Sequence, residues 1–380
     1  MPVQVPTPDE LAQVDTRARA AQDAAATAQN TATDALAGSA RATAATTALA
    51  AEVAALTARV AKLEQPTTPP PPTPERFEAI DFAAGNAGHW KNPGNLVGKG
   101  SAVTTYAVKA GSSTKTPPTT GTNPLRVVRV GATGGTLQAG VKVQGVTVEG
   151  YAGHNTHGIT VGYVDGAQLR DVRAVGVKGS GSSPPAETFA IEVWQALNVT
   201  VDDCTVDGQN VSATLFGLNS VDGVVVSKLK ANGTAVAFGT ATWQCGNVTY
   251  RDCDLRGNRR AMNFEQCYGN ILIERVDLRG RLSARTTGPD IVVATAGYTP
   301  GRGPLAGQRQ TSAKVRIVDP VWDRDKGPLI VGIPTLGGNY PAGGGPHTQR
   351  VEDVTVVIDG REYVGAQNNA VVKVGNYWSG

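Results

Sequence analysis

Residues 245–257 read CGNVTYRDCDLRG and residues 268–280 read YGNILIERVDLRG. Two phrases that close on the same three residues, at Gly257 and Gly280, mean that the chain repeats itself. A repeat much shorter than a domain decides the class of fold before anything else does. Aligning ten-residue phrases on that last glycine extends the series backward: VKVQGVTVEG ends at Gly150, AQLRDVRAVG at Gly176, VTVDDCTVDG at Gly208 and VVVSKLKANG at Gly233. From Gly150 to Gly280 the intervals are 26, 32, 25, 24 and 23 residues. Such a drifting interval belongs to a solenoid coil whose turns vary in length while its strands do not.

Positions 1, 3, 6 and 8 of every phrase are apolar, for example Val199, Val201, Cys204 and Val206, or Val248, Tyr250, Cys253 and Leu255. Alternation points positions 1 and 3 to one side, and positions 6 and 8 resume that side after 4 and 5 turn a corner. Each phrase is therefore two short strands meeting at a bend. Another short strand precedes each phrase, as in HGITVG, FAIEVW, TLFGL and AMNFEQ, which makes three strands per coil. The closing glycine supplies turn geometry that other residues reach only with strain. KVRIVDPVWDRD, residues 314–325, fits as a seventh copy with Val315, Ile317 and Trp322 inward, and VTVVIDG at 354–360 reads as a last, degraded coil.

Composition agrees with thin strands and many turns. Among 380 residues, 46 are Gly and 23 Pro, while aromatics make up 5% and charged residues 18%. The net charge of +3 comes with no Lys/Arg block, which argues against nucleic acid or an anionic membrane as partner. No signal peptide and no bilayer-length apolar run is evident, so synthesis in a cytoplasm without membrane insertion is expected, and the NVT and NGT sequons carry no weight.

The N-terminal part differs in kind. Residues 11–63 keep an unbroken three-four spacing from Leu11 to Leu63, the pattern of a coiled coil. Thr7, Pro8 and Glu10 suit a helix start. The middle of the seam is almost all alanine, so Leu49, Val53, Leu56, Val60 and Leu63 are expected to set the assembly. A proline-rich segment follows, EQPTTPPPPTPER, residues 64–76, which favours an extended spacer. The expected organisation is a helix over 1–65, a linker over 66–76, an N-terminal cap over 77–124, a β-helix over 125–360 and a C-terminal cap over 361–380.

The fold class is therefore mainly β, a right-handed single-stranded parallel β-helix preceded by an α-helical coiled coil. The repeats resemble those of pectate-lyase-like proteins. Coiled coil, Pro-rich spacer and β-helix together resemble bacteriophage tail fibres, tailspikes and minor tail proteins, and the Ala, Gly, Arg and Pro bias resembles that of an actinobacterial phage. The resemblance covers roughly residues 8–65 and 125–330. It implies a homo-oligomer, with three chains following the family where Val at a and Leu at d alone favour two. It further implies other tail proteins and bacterial surface glycans as partners, and a place in the virion.

Chemistry is sparse. Position 5 of the phrases reads Asp171, Asp203, Lys228, Asp252 and Arg275, a column in which acid and base largely offset one another. Asp202 and Asp203 are neighbours on a strand and face opposite ways, and Glu192 and Glu265 lie about three coils, or roughly 14 Å, apart. The first pair is a poor candidate, since the next coil answers it with Lys228, and the second exceeds the roughly 5–9.5 Å that glycoside hydrolysis requires, so no catalytic residue is assigned. The scarce aromatics Tyr163, Trp194, Trp243 and Tyr268 all precede position 1 of their phrases by a few residues. With Glu192, Gln195, Gln244, Glu265 and Gln266 they form a candidate glycan-binding edge, or else they pack under a loop or a neighbouring chain. His154 and His157 lack a third ligand, the four cysteines make no framework although Cys245 and Cys267 come close enough to raise the question, and GNLVGKG at 94–100 is not a phosphate loop. No metal or cofactor is expected. An enzymatic tailspike that cleaves glycans is the alternative.

Overall fold

The computed structural model of the chain describes residues 8–63, 73–79, 90–92, 94–108, 125–132, 134–150, 156–177, 189–208, 214–233, 238–258, 260–280, 288–295, 297–337 and 346–377. The chain forms two units, residues 1–71 and 72–380.

The described residues of the first unit form one helix, α1, Pro8–Leu63. Alanine sustains it at low cost in backbone and side-chain entropy, while threonine hydroxyls such as Thr27 and Thr46 bond back to the carbonyls four residues earlier. Leu49, Val53 and Leu56 are 62%, 56% and 59% exposed in the single chain. The Thr7 cap and the side chains of Glu10, Val60 and Leu63 lie outside the described residues.

In the second unit strands stack coil upon coil in parallel register, forming a parallel β-helix with three walls. The first wall runs through strands Leu125–Gly131, Thr156–Gly162, the start of Phe189–Asp202 and of Thr214–Ser227, then Phe238–Trp243, Met262–Glu265 and Ile291–Ala294. The second wall stacks the opening halves of the ten-residue phrases, from Lys142 and Gln168 to Gly246–Arg251, Tyr268–Glu274 and Ala313–Val318. The third stacks their closing halves, such as Thr205–Gly208 on Lys230–Gly233, continued by bridges at Asp254, Asp277 and Val321.

The apolar positions read from the phrases fill the core. Val199, Val201, Cys204 and Val206 are at most 3% exposed, as are Val224, Val226, Leu229 and Ala231 on the next coil. Phe216, Tyr250 and Phe264 meet edge to face at 6.4 and 6.0 Å, and the buried Tyr250 hydroxyl finds Thr242 at 2.8 Å. The corner at position 5 is left-handed backbone throughout: Asp171, Asp203, Lys228, Asp252 and Arg275 have φ of 49–54°. Arg275 there grips Asp252 of the preceding coil through two nitrogens, at 2.7 and 3.1 Å. The other carboxylate of the Asp202–Asp203 pair accepts a hydrogen bond from Ser227 on the next coil. All four cysteines are free and buried, so Cys245 and Cys267 form no disulfide.

Two details differ from the sequence reading. At Gly150 the need for glycine is close approach, since a Cβ there would stand 2.4 Å from the Gly176 carbonyl oxygen. The strand Val354–Ile358 stacks in parallel on the seventh phrase, but Asp359 and Gly360, both with positive φ, then reverse the chain into an antiparallel strand, Arg361–Val364. VTVVIDG thus ends the coil with a hairpin instead of continuing it. Parallel stacking also reaches into both expected caps: Glu75–Ala79 pairs with Thr104–Val108, and Val372–Gly375 pairs with Leu329–Gly332.

Candidate functional site

On the outside of the first wall, strand register sets two columns of side chains. One runs Thr160, Glu192, Gly217, Ala241, Asn263; the other runs Gly162, Trp194, Asn219, Trp243, Glu265. Beside the second column the chain turns through another left-handed corner, occupied coil by coil by Tyr163, Gln195, Ser220, Gln244 and Gln266, with φ of 51–56°. Every residue of the candidate edge falls in one of these three columns except Tyr268. The structure brings Trp194, Trp243 and Glu265 into one line and sets Tyr163, Gln195, Gln244 and Gln266 in the line next to it.

Trp243 is 40% exposed. Trp194 is half-buried, with Tyr163 edge-on at 5.3 Å and the Arg126 guanidinium 5.8 Å from its ring centre. Asn263 donates a hydrogen bond to Glu265 and so fixes that carboxylate beside Trp243.

Glu192 stands elsewhere. It is only 4% exposed and accepts a hydrogen bond from Thr160 at 3.0 Å, with Arg126 at 3.9 Å and His157 Nδ1 at 3.7 Å. The buried His157 ring stacks on Phe189 and accepts that residue's backbone N–H. Burial, and secondarily the Arg126 charge, pushes the His157 pKa well below its ordinary value, so the ring is neutral. Glu192 holds the wall together there and does not face solvent. His154 lies outside the described residues, and among the described residues no three His, Cys, Asp or Glu side chains could hold a metal ion.

Tyr268 has passed the corner into the second wall. Its ring fits over Gly246, where a Cβ would stand 2.1 Å from a ring carbon, and it is 2% exposed. Its hydroxyl donates to Asp222 at 3.1 Å, and Asn247 donates to the other oxygen of Asp222 at 2.8 Å. Burial, then the Asp222 charge, raises the Tyr268 pKa, so the phenol stays protonated and remains a donor.

Residues 297–312 form a long excursion that folds back over this corner. Tyr298 lies 5.9 Å from the Tyr268 ring and is held by a two-way backbone bridge to Gln310. Arg302 donates to the Gln195 carbonyl at 3.2 Å and covers the Tyr163 ring at 5.3 Å. Between excursion and corner lies a groove of about 430 Å³, lined by Gln195, Leu197, Ser220, Asp222, Gln244 and Tyr268 on one side and residues 298–302 on the other. Ser220, Asp222, Tyr298 and Arg302 were not legible as site residues. The repeats locate the corner, but nothing in a non-repeating loop says which coil it will fold onto.

Chemically, the surface offers rings, amides and isolated carboxylates. Glu192 and Glu265 occupy different columns on coils three steps apart, so they cannot share one glycosidic bond at the roughly 5–9.5 Å required.

No family model matches the chain, and no curated protein does. Among solved structures it is similar to the A-module of the mannuronan C-5 epimerase AlgE6 of Azotobacter vinelandii, with 13% identity and a TM-score of 0.35 over 81% of this chain and 86% of that one. The A-module of AlgE4 from the same organism gives 11% identity and a TM-score of 0.33 over 79% and 88%. At these scores the likeness decides nothing about activity or substrate.

Proposed function

We propose that the chain binds a surface glycan along the Trp194–Trp243 column, as the adhesive part of a bacteriophage tail fibre or minor tail protein, without cleaving it. One observation carries the reading: two tryptophans, in a chain poor in aromatics, share one outward column two strands apart. Two strand spacings make about 10 Å, close to the length of two linked pyranose rings. Sugar C–H faces stack on such rings, while Asn219 and Glu265 in the same column supply hydrogen-bonding groups for the hydroxyls.

The role as a fibre rests on architecture. The apolar residues Leu49, Val53 and Leu56 of α1 are exposed in the single chain, at the spacing of a coiled-coil seam that would bury them. In this reading three chains associate through α1 and a right-handed β-helix follows. The test is incubation of the purified protein with actinobacterial cells and with their extracted envelope glycans, scoring retained protein and released sugar together. Retention without release supports the proposal, whereas release of reducing ends makes the protein a depolymerase and overturns its non-catalytic part.

A further inference from the structure

Among the corner residues that line the groove, one rung is left open. Ser220 bonds to Gln244, and the Gln244 amide donates to Gln266 at 2.8 Å, so these side chains satisfy one another up the stack. Gln195, one coil below Ser220, gives its carbonyl to Arg302 but makes no side-chain hydrogen bond among the described residues, although it lines the groove. A carboxamide with two donors and an acceptor lining a polar groove suits a ligand that both donates and accepts.

The charges narrow that ligand. Among the described residues Asp222 and Arg302 are the groove's single carboxylate and single guanidinium, so this lining is electrically balanced and favours neither an anion nor a cation. Gly303, the residue after Arg302, packs against Asp222, since a Cβ there would stand 2.5 Å from Asp222 Oδ2. Each Asp222 oxygen already accepts one hydrogen bond and keeps a second lone pair, while Arg302 makes no ion pair with a carboxylate among the described residues. An acceptor and a donor in one groove match a polyol, one hydroxyl donating to the carboxylate and another accepting from the guanidinium. Tyr298 and Leu197 supply the apolar wall, and about 430 Å³ falls within the usual size of a small-molecule pocket.

We propose that this groove is a second saccharide site, a pocket that takes one neutral sugar unit by its hydroxyls and is separate from the Trp194–Trp243 column. The proposal rests on the glycan reading but commits to different residues and a different ligand form. The test is saturation-transfer NMR on the full chain with methyl glycosides of neutral hexoses, alongside glucuronate and glucosamine, at millimolar concentration. Transfer to neutral glycosides is expected. It should fall to the level of a non-binding control in Thr299→Phe, which fills the groove from an exposed loop position, and in Arg302→Met, which keeps the packing over Tyr163. Lys314→Ala, at an exposed position outside both the groove lining and the tryptophan column, should leave it unchanged, and an unaltered circular dichroism spectrum confirms that each variant is folded. Absence of transfer to any neutral glycoside, transfer that survives Thr299→Phe, or preference for a charged sugar would overturn the proposal. Loss of polymer retention in Trp243→Ala without any glycoside transfer would sink the groove and leave the column standing.

Discussion

Trp194 and Trp243 stand in the same strand-to-strand column with Asn219 on the rung between them. The spacing is set by the hydrogen-bonded backbone, so side-chain flexibility cannot stretch it much. A saccharide must therefore span about 10 Å to touch both rings. Affinity for purified oligosaccharides is expected to rise sharply once the chain is long enough to bridge the pair and to level off beyond it, as isothermal titration across a length series would show. A steady rise with no step would mean that the rings do not act together.

The left-handed corner makes a separable prediction about folding. Lys228 is exposed, has φ of 51° and makes no ion pair among the described residues. Lys228→Val should destabilise by about 1 kcal/mol through backbone strain alone, while Lys228→Gly should be close to neutral because relief of strain is offset by chain entropy. Urea midpoints of the two variants check this. Leu229→Ala, one residue on and fully buried in the core, should cost about 3 kcal/mol.

The thiols provide a chemical check on the core. Burial raises the Cys204, Cys253 and Cys267 pKa values to about 12. Because the folded values exceed the unfolded one, this contribution to stability is complete below about pH 9 and declines as pH rises from there toward 12. At pH 8 the native protein should give almost no reaction with a thiol reagent, denatured protein should give four thiols, and prior reduction should change neither count.

His157 works in the opposite direction. Its folded pKa is depressed, so its contribution is present above the ordinary value of 6.5 and is lost as pH falls below that, when the unfolded chain gains a proton that the folded chain excludes. His157→Asn keeps an acceptor for the Phe189 N–H and should flatten the stability profile between pH 6.5 and 5. An unchanged slope in thermal melts across that range would show that His157 does not set the acid limb.

The helix prediction concerns assembly. With Leu49, Val53 and Leu56 exposed on α1, the intact chain is expected to be a trimer by light scattering. Deletion of residues 1–65, or serine at these three positions, should weaken that association. A monomeric intact chain would contradict the fibre reading.

Much of the β-helix was legible because its information is periodic. Each inward position is stated once per coil, so Cys204, Leu229, Cys253 and Val276 vouch for one another even though none is informative alone. The Trp194–Trp243 column was legible only in part: their offsets before each phrase placed them near one edge, but register was needed to separate Tyr163, at the corner, from Tyr268, beyond it. The hairpin at Asp359–Gly360 carries a recognisable turn pair, yet it closes a phrase that looks like all the others. Excursions such as 297–312 occur once and have nothing to be aligned with, which is why Asp222, Tyr298 and Arg302 became visible only in three dimensions.

The most direct test of the central claim is to measure retention of the wild-type protein and of Trp194→Ala and Trp243→Ala on extracted envelope glycan, with released sugar scored in the same tubes. The account predicts that wild type is retained without release and that each substitution weakens retention by roughly five- to tenfold, as loss of one ring contact worth about 1 kcal/mol or slightly more implies. Undiminished retention of both folded variants, or release of sugar by the wild type, would contradict it.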